Sequence, residues 1–263
     1  MLSKNKQKLI RQLASKKHRD ELGLFIAEGP KVVGDLLGHM KAHLIFATRE
    51  WLDASATVLD SIPADEIIEV TQRELESISL LKTPRDVFAV MRRPDSDASL
   101  AALVQTAQNE LTLALDGVQD PGNLGTIIRL ADWFGIGHIF CSPDSVDAFS
   151  PKTVMATMGA IARVKVHYVD LPALLKVCQT EACSTEVPVY GTFLDGTDIY
   201  AEELSPNGII VMGNEGNGIS PEVAQHINRR LFIPSFPADR PTSESLNVAI
   251  ATAITCAEFR RRA

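Results

Sequence analysis

Residues 208–221 restrict the possible folds of this chain more than any other stretch. They begin with an apolar run that ends at Met212, continue through a turn with three glycines, and end at Ser220 and Pro221. Serine followed by proline suits the N-cap and first turn of a helix. The stretch therefore predicts a strand, a turn and a helix in direct succession. The turn is either a tight connection or the floor of a ligand site.

The turn favours a ligand site because Glu215 is a carboxylate among glycines, where it has no role in packing. Gly213, Gly216 and Gly218 can adopt positive φ or let another molecule approach the backbone. Their spacing is not that of a dinucleotide fingerprint, and no Gly-Lys-Ser/Thr follows as in a P-loop. Phosphate binding by this turn is therefore disfavoured.

The remainder of the chain alternates between short apolar strands and helical patterns, which predicts an α/β fold. The run at 111–115 is apolar nearly throughout, as expected for a strand covered on both faces of a parallel sheet. A polar, proline-containing stretch at 92–98 separates two such alternations. The sequence predicts a small α/β domain at residues 1–93, a linker at 94–106 and a second α/β domain at 107–263.

The charge distribution restricts how the protein could bind nucleic acid. The 33 acidic residues exceed the 26 Lys and Arg, and the net charge of -7 argues against a wholly basic surface. Residues 4–17, however, predict a basic helix with Leu9, Ile10 and Leu13 on one side, ending by Gly23. The basic faces of this helix, like the cluster at 260–262, are either solvated or in contact with phosphates.

The cysteines predict neither disulfides nor a metal site. They show no metal-ligand spacing and lie in apolar or helical surroundings, which predicts reduced and mostly buried thiols at Cys141, Cys178, Cys183 and Cys256. No apolar run is long enough to cross a bilayer, and the charged amino terminus lacks the hydrophobic segment of a signal peptide. We therefore expect a soluble cytoplasmic protein without membrane association.

Three polar loops follow predicted strands, at residues 116–123, 213–220 and 233–247. Ligands of open α/β sheets bind at the carboxyl ends of the strands, so these loops are candidates for one shared site. Taken singly, each has a plain alternative. Asn123 and Ser245 also suit helix N-caps, and Arg129 also suits a surface salt bridge. Caps alone would not predict all three loops in this order.

The three loops resemble the three motifs of the SpoU (TrmH) RNA 2′-O-ribose methyltransferases in order and spacing. The matching residues are Asp120-Pro-Gly-Asn-Leu-Gly-Thr-Ile-Ile-Arg129, Met212-Gly-Asn-Glu-Gly-Asn-Gly218, and Ser245-Leu-Asn-Val-Ala249 after Ile233-Pro234. The first ninety residues resemble the L30e-like substrate-binding domain of that family, notably at Phe25-Ile-Ala-Glu-Gly29. The resemblance implies a SPOUT α/β domain with a trefoil knot, preceded by a small L30e-like α/β domain. It also implies S-adenosylmethionine as cofactor, RNA as substrate, and a homodimer.

The resemblance also implies the residues that contact the cofactor. By their positions in the motifs, Gly213, Ile233 and Leu246 are expected to contact S-adenosylmethionine, largely through backbone groups. Thr192, at the end of its predicted strand, is a further candidate.

A second set of residues is implied in catalysis. Arg129 matches the arginine of the family, and we expect it to clamp the phosphate beside the target ribose and polarise the hydroxyl. Asn123 and Asn247 are expected to orient Arg129 or the ribose. Ser245 is expected to hydrogen-bond the reacting region, and Glu215 to fix its loop.

Two departures from the family pattern concern cofactor and RNA binding. The loop at 235–244 is longer and richer in proline than in many relatives, which bears on the cofactor side of the site, and Met155 stands where many members have an arginine expected to contact RNA. The three motifs themselves are intact. A non-catalytic RNA-binding protein with the same fold is one alternative, and a nucleotide-binding α/β enzyme is another. Both ribosomal and transfer RNA are possible substrates, and the separate amino-terminal domain favours ribosomal RNA.

Overall fold

The computed structural model describes residues 2–59, 64–94, 98–179, 187–237 and 245–262. The chain forms two compact units. We call residues 1–95 together with 147–163 the amino-terminal unit, and residues 96–146 together with 164–263 the carboxyl-terminal unit.

The amino-terminal unit contains a four-stranded mixed sheet in the order β1-β4-β2-β3. Strand β4 lies between β1 and β2 and is antiparallel to both, whereas β2 and β3 are parallel. The strands are β1 (Leu24–Glu28), β2 (Ala42–Ala47), β3 (Ala64–Glu69) and β4 (Val87–Arg92). The helices are α1 (Lys4–Gln12), α2 (Lys16–Leu22), α3 (Pro30–Leu37), α4 (Arg49–Ala54), α5 (Ala56–Leu59), α6 (Gln72–Ile78) and α9 (Pro151–Thr157).

The predicted basic helix at 4–17 is two helices, α1 and α2. The predicted apolar side is confirmed, because Ile10 and Leu13 are buried in the core. The chain breaks where Ser15 adopts an extended conformation (φ -90°, ψ 134°), which begins a new helix. Helix α2 ends at Gly23 in the left-handed conformation (φ 62°), a common helix terminator that glycine tolerates without steric cost.

The carboxyl-terminal unit contains a six-stranded parallel sheet in the order β10-β8-β9-β5-β6-β7. Every residue of β5 and β9 is buried, which confirms the prediction of a strand covered on both faces. The strands are β5 (Leu111–Leu115), β6 (His138–Cys141), β7 (Lys165–Tyr168), β8 (Val189–Asp198), β9 (Gly208–Met212) and β10 (Arg229–Phe232). The helices are α7 (Leu100–Asn109), α8 (Pro121–Trp133), α10 (Leu171–Cys178), α11 (Pro221–Ala224) and α12 (Val248–Arg261).

The course of the chain differs from the predicted division in two places. The predicted linker at 94–106 contains the start of α7, whose Leu103 and Val104 are buried in the core of the carboxyl-terminal unit. The second place is the segment 147–163, inside the predicted second domain, which belongs to the amino-terminal unit. There Phe149 contacts Phe25, with ring centroids 4.9 Å apart.

Three of the four cysteines are confirmed as free and buried, at positions 141, 178 and 256. Cys183 lies outside the described residues. No helix in the described part of the chain is both long and apolar enough to cross a bilayer. The trefoil knot stays a prediction.

Candidate functional site

Two of the three predicted loops leave neighbouring strands in opposite directions. Strand β5 pairs with β9 on one side and β6 on the other. From β5 the chain continues through α8 to β6, whereas from β9 it continues through α11 to β10, beyond β8. Parallel sheets form a crevice where consecutive connections diverge in this way. The carboxyl edge of β5 and β9 is therefore the candidate site.

Two side chains bind the loops after β5 and β9 to each other. Asp116, which is 8% exposed, accepts a hydrogen bond from the backbone N–H of Ser220 at 2.7 Å. Asn214 donates to the carbonyl of Gly117 at 2.7 Å and accepts from the N–H of Gly216 at 2.9 Å. Sequence reasoning missed both residues. A carboxylate directly after a buried strand was the available signal for Asp116.

The three glycines of the loop after β9 differ in whether the structure requires a glycine at their position. A Cβ atom on Gly213 would lie 2.2 Å from the carbonyl carbon of Gly218 and 2.3 Å from the nitrogen of Ile219. Gly218 has a φ of +69°, which side chains rarely adopt. Gly216 has neither constraint, since the nearest atom to its Cβ would be the Asn214 Oδ1 at 3.6 Å. The loop packs on its own backbone at Gly213.

Three predicted catalytic residues form one chain of hydrogen bonds. Asn247 Oδ1 accepts from the N–H of Ala249 at 3.0 Å as the N-cap of α12, so its Nδ2 faces the neighbouring loop. This Nδ2 donates to Asn123 Oδ1 at 3.0 Å, and Asn123 Nδ2 donates to Glu215 Oε1 at 2.8 Å. Because the N-cap must accept, its bond sets the orientation of both amides. We call this chain of hydrogen bonds, from Asn247 through Asn123 to Glu215, the relay. The donor and the acceptor of each bond in the relay are fixed, and the relay ends at the Glu215 carboxylate.

The two N-caps considered as plain alternatives are wrong. Asp120 caps α8, with its Oδ1 accepting from the N–H of Asn123 at 2.9 Å. Asn247 caps α12, and Ser245 lies exposed two residues earlier without a side-chain hydrogen bond to any described residue. Asn123 keeps its amide free for the relay because Asp120 performs the capping.

Arg129 lies on the exposed side of α8, three residues after Thr126 and four before Trp133. Its guanidinium forms no hydrogen bond or ion pair with any residue that the structure describes, so the surface salt bridge is not observed. A guanidinium carries five donors and a permanent charge. Arg129 is therefore available to an anionic ligand.

The four predicted cofactor residues differ in exposure. Gly213 is buried, and Thr192 is partly buried, with its hydroxyl 3.8 Å from the sulfur of Met212. Ile233 is partly buried just beyond β10, whereas Leu246 is 48% exposed. Their roles stay predictions. The group combines one hydroxyl, a glycine backbone and two apolar side chains, which suits a ligand with both apolar and hydrogen-bonding parts.

Sequence families match both parts of the chain. The SpoU rRNA Methylase family matches residues 110–257, and the MRM3-like substrate binding domain matches residues 4–89. The 23S rRNA (guanosine(2553)-2′-O)-methyltransferase RlmP of Bacillus subtilis is 29% identical over 254 residues, which cover 95% of this chain and 94% of that protein.

Solved structures show the same architecture over the whole chain. A protein of the TrmH family from Porphyromonas gingivalis is 42% identical, with a TM-score of 0.85, and the match covers 100% of both chains. An rRNA methyltransferase from Sinorhizobium meliloti with bound AdoMet is 31% identical with a TM-score of 0.83, over 100% of this chain and 96% of that one. The protein thus belongs to the SpoU rRNA methylase family, with an MRM3-like substrate-binding domain ahead of its methylase domain.

Proposed function

We propose that this protein transfers the methyl group of S-adenosylmethionine to a ribose 2′-hydroxyl of ribosomal RNA. The observation that carries the proposal is the relay from Asn247 through Asn123 to Glu215, on the same sheet edge as the conformationally restricted Gly213 loop. The relatives support the substrate class, because RlmP is named for 2′-O-methylation of a guanosine in 23S rRNA.

The residues of the sheet edge suit the cofactor. Gly213 and its loop offer backbone groups, Thr192 offers a hydroxyl, and the half-exposed Leu246 offers apolar surface. When bound, S-adenosylmethionine supplies an electrophilic methyl group on a positively charged sulfur. The residues of the protein align the hydroxyl with that group and do not need to activate the donor.

Arg129 takes the phosphate beside the target ribose. Guanidinium stays protonated in proteins, so this side chain acts as a clamp and a hydrogen-bond donor and not as a base. The clamp places the ribose, and the guanidinium polarises the hydroxyl so that its proton is more easily lost. Asn123 and Asn247 hold their amides in one orientation at this edge, and Ser245 presents an exposed hydroxyl to the reacting region.

The protein acts as a homodimer, formed through α8 and α12. These helices lie side by side, since Asn247 bonds Asn123 at their starts and Arg260 donates to the carbonyl of Phe134 at their ends, 2.7 Å away. They expose apolar side chains that water solvates poorly, with Trp133 84% and Ile250 53% exposed. Sedimentation of wild type and Ile250→Glu tests this contact, with a monomeric variant expected. A wild type that sediments as a monomer would exclude the dimer.

Transfer of labelled methyl groups tests the function. Ribosomal RNA and, separately, transfer RNA from a strain that lacks this protein are incubated with the enzyme and labelled S-adenosylmethionine, then digested to nucleosides. We expect the label in a 2′-O-methylnucleoside of ribosomal RNA. Label in transfer RNA alone would overturn the substrate class. No label in either pool, with cofactor binding intact, would instead support a non-catalytic RNA-binding protein.

A further inference from the structure

We propose that the groove between α1 and α2 binds the sugar-phosphate backbone of RNA. The proposal rests on the proposed function, since it assigns part of the substrate to a second site. The α1–α2 groove has a volume of about 590 Å³. Its lining contains cationic and hydrogen-bonding side chains and no carboxylate: Lys4, Gln7, Lys8, Arg11, Gln12, Ser15 and His18. This composition matches a polyanion with many acceptor oxygens.

The cationic side chains that line the groove have no ion-pair partner among the described residues. Lys4, Lys8 and Arg11 follow the helical spacing of four and three residues along one face of α1. Their side chains form no ion pair with any described residue. By contrast Lys17, which lies on α2 but not in the groove, pairs with Glu21 at 3.8 Å. The groove therefore holds cationic charge that no described side chain neutralises.

Arg19 holds the two helices in place, so the groove exists before the ligand binds. Its guanidinium donates to the carbonyls of Leu13 and Ala14, at 2.8 and 2.9 Å, in the break between α1 and α2. It also donates two hydrogen bonds to Asp147, at 2.7 and 2.9 Å. Both side chains are at least 93% buried, where charge pairs are weakly screened. Arg19 is thus a positioning residue for the groove.

Binding of the full-length protein to two simple RNAs tests the groove. The probes are poly(U) as a single strand and poly(A)·poly(U) as a duplex, titrated from about 50 to about 200 mM salt. We expect Lys8→Ala with Arg11→Ala to bind both probes on the order of tenfold more weakly, with a salt slope shallower by about 1.5. Both residues are exposed, so the fold is retained.

The matched control is Lys17→Ala with Lys31→Ala, which removes the same charge from α2 and α3 outside the groove. It is expected to keep the wild-type salt slope. Equal slopes for the groove and control variants would overturn the proposal.

Methyl transfer separates this proposal from the proposed function. Groove variants should raise the KM for ribosomal RNA and leave kcat unchanged, since the α1–α2 groove supplies affinity and no reacting group. An unchanged KM would contradict RNA binding by the groove. If wild type transfers no methyl group but the groove variants still lose RNA affinity, the proposed function fails and the groove stands.

Discussion

The sheet edge of the carboxyl-terminal unit and the α1–α2 groove of the amino-terminal unit differ in whether their polar side chains are paired with other side chains. At the sheet edge, Asn247, Asn123 and Glu215 bond one another, so their geometry is set without a ligand. In the groove, Lys8 and Arg11 have no partner among the described residues. Paired groups give preorganised geometry, whereas unpaired cations give affinity for anions. Arg129, on the exposed side of α8, is like the groove cations unpaired among the described residues.

Replacing Arg129 by alanine tests whether its unpaired guanidinium contacts the substrate. We expect kcat to fall roughly 10²–10³-fold, the usual effect of removing one donor to the transition state, while S-adenosylmethionine binds as before. Arg129→Lys keeps the charge but loses the fork of donors and should recover only part of the rate. Calorimetric cofactor binding with single-turnover transfer measures both. Full turnover by the alanine variant would remove Arg129 from the mechanism.

Replacing Gly213 by alanine tests how much the sheet edge depends on a fixed loop. The added Cβ would lie within 2.6 Å of backbone atoms of Gly218 and Ile219, so the backbone itself must shift. We expect a loss of about 1–3 kcal/mol in the free energy of unfolding and at least about tenfold weaker cofactor binding. Gly216→Ala is the matched control, because its Cβ has ordinary space. Equal cofactor affinity in the two variants would contradict a rigid Gly213 loop.

The carboxyl-terminal unit contains a buried histidine, His167, with an unpaired nitrogen. Its Nδ1 has no hydrogen-bond partner among the described residues, its Nε2 lies 3.1 Å from His138 Nδ1, and burial lowers the pKa of His167 to about 4. Below the ordinary pKa of about 6.5 the unfolded chain takes up a proton that the folded chain refuses. The free energy of unfolding should therefore fall by about 1–2 kcal/mol between pH 7 and pH 5 on this account.

Urea denaturation across that pH range measures the effect. His167→Phe should flatten the dependence on pH, whereas His39→Gln, at an exposed position, should leave it as in wild type. An equal pH dependence in wild type and His167→Phe would show that this nitrogen has no energetic consequence.

Asn247 allows helix capping and the relay to be separated. Asn247→Ala removes both and should cost about 1 kcal/mol in the free energy of unfolding. Asn247→Ser keeps an N-cap acceptor but loses the donor to Asn123, so it should unfold like wild type and still transfer methyl groups more slowly. Unimpaired transfer by the serine variant would show that the relay does not position the reacting groups.

Much of the fold was predictable because strand and helix patterns are local. The buried strands β5 and β9 and the order of the loops follow from apolar runs and turn residues that lie next to one another. The partners in the site are not local. Asp116 and Ser220 are 104 residues apart, and Asn123 and Asn247 are 124 apart. Only folding brings such pairs within hydrogen-bond distance, so sequence reasoning left Asp116 unnoticed.

By itself, the sequence determined the α/β class, the two alternations of strands and helices, and the three polar loops after strands, because these depend on period and neighbouring residues. The site residues within those loops were expected from their resemblance to family motifs. The tertiary structure decided which residues cap α8 and α12, that Gly213 is required by its own loop, and that Asp147 holds Arg19. Each of these depends on distances between parts of the chain that no local pattern specifies. Packing selects one partner for each polar group, and that selection is a property of the whole fold.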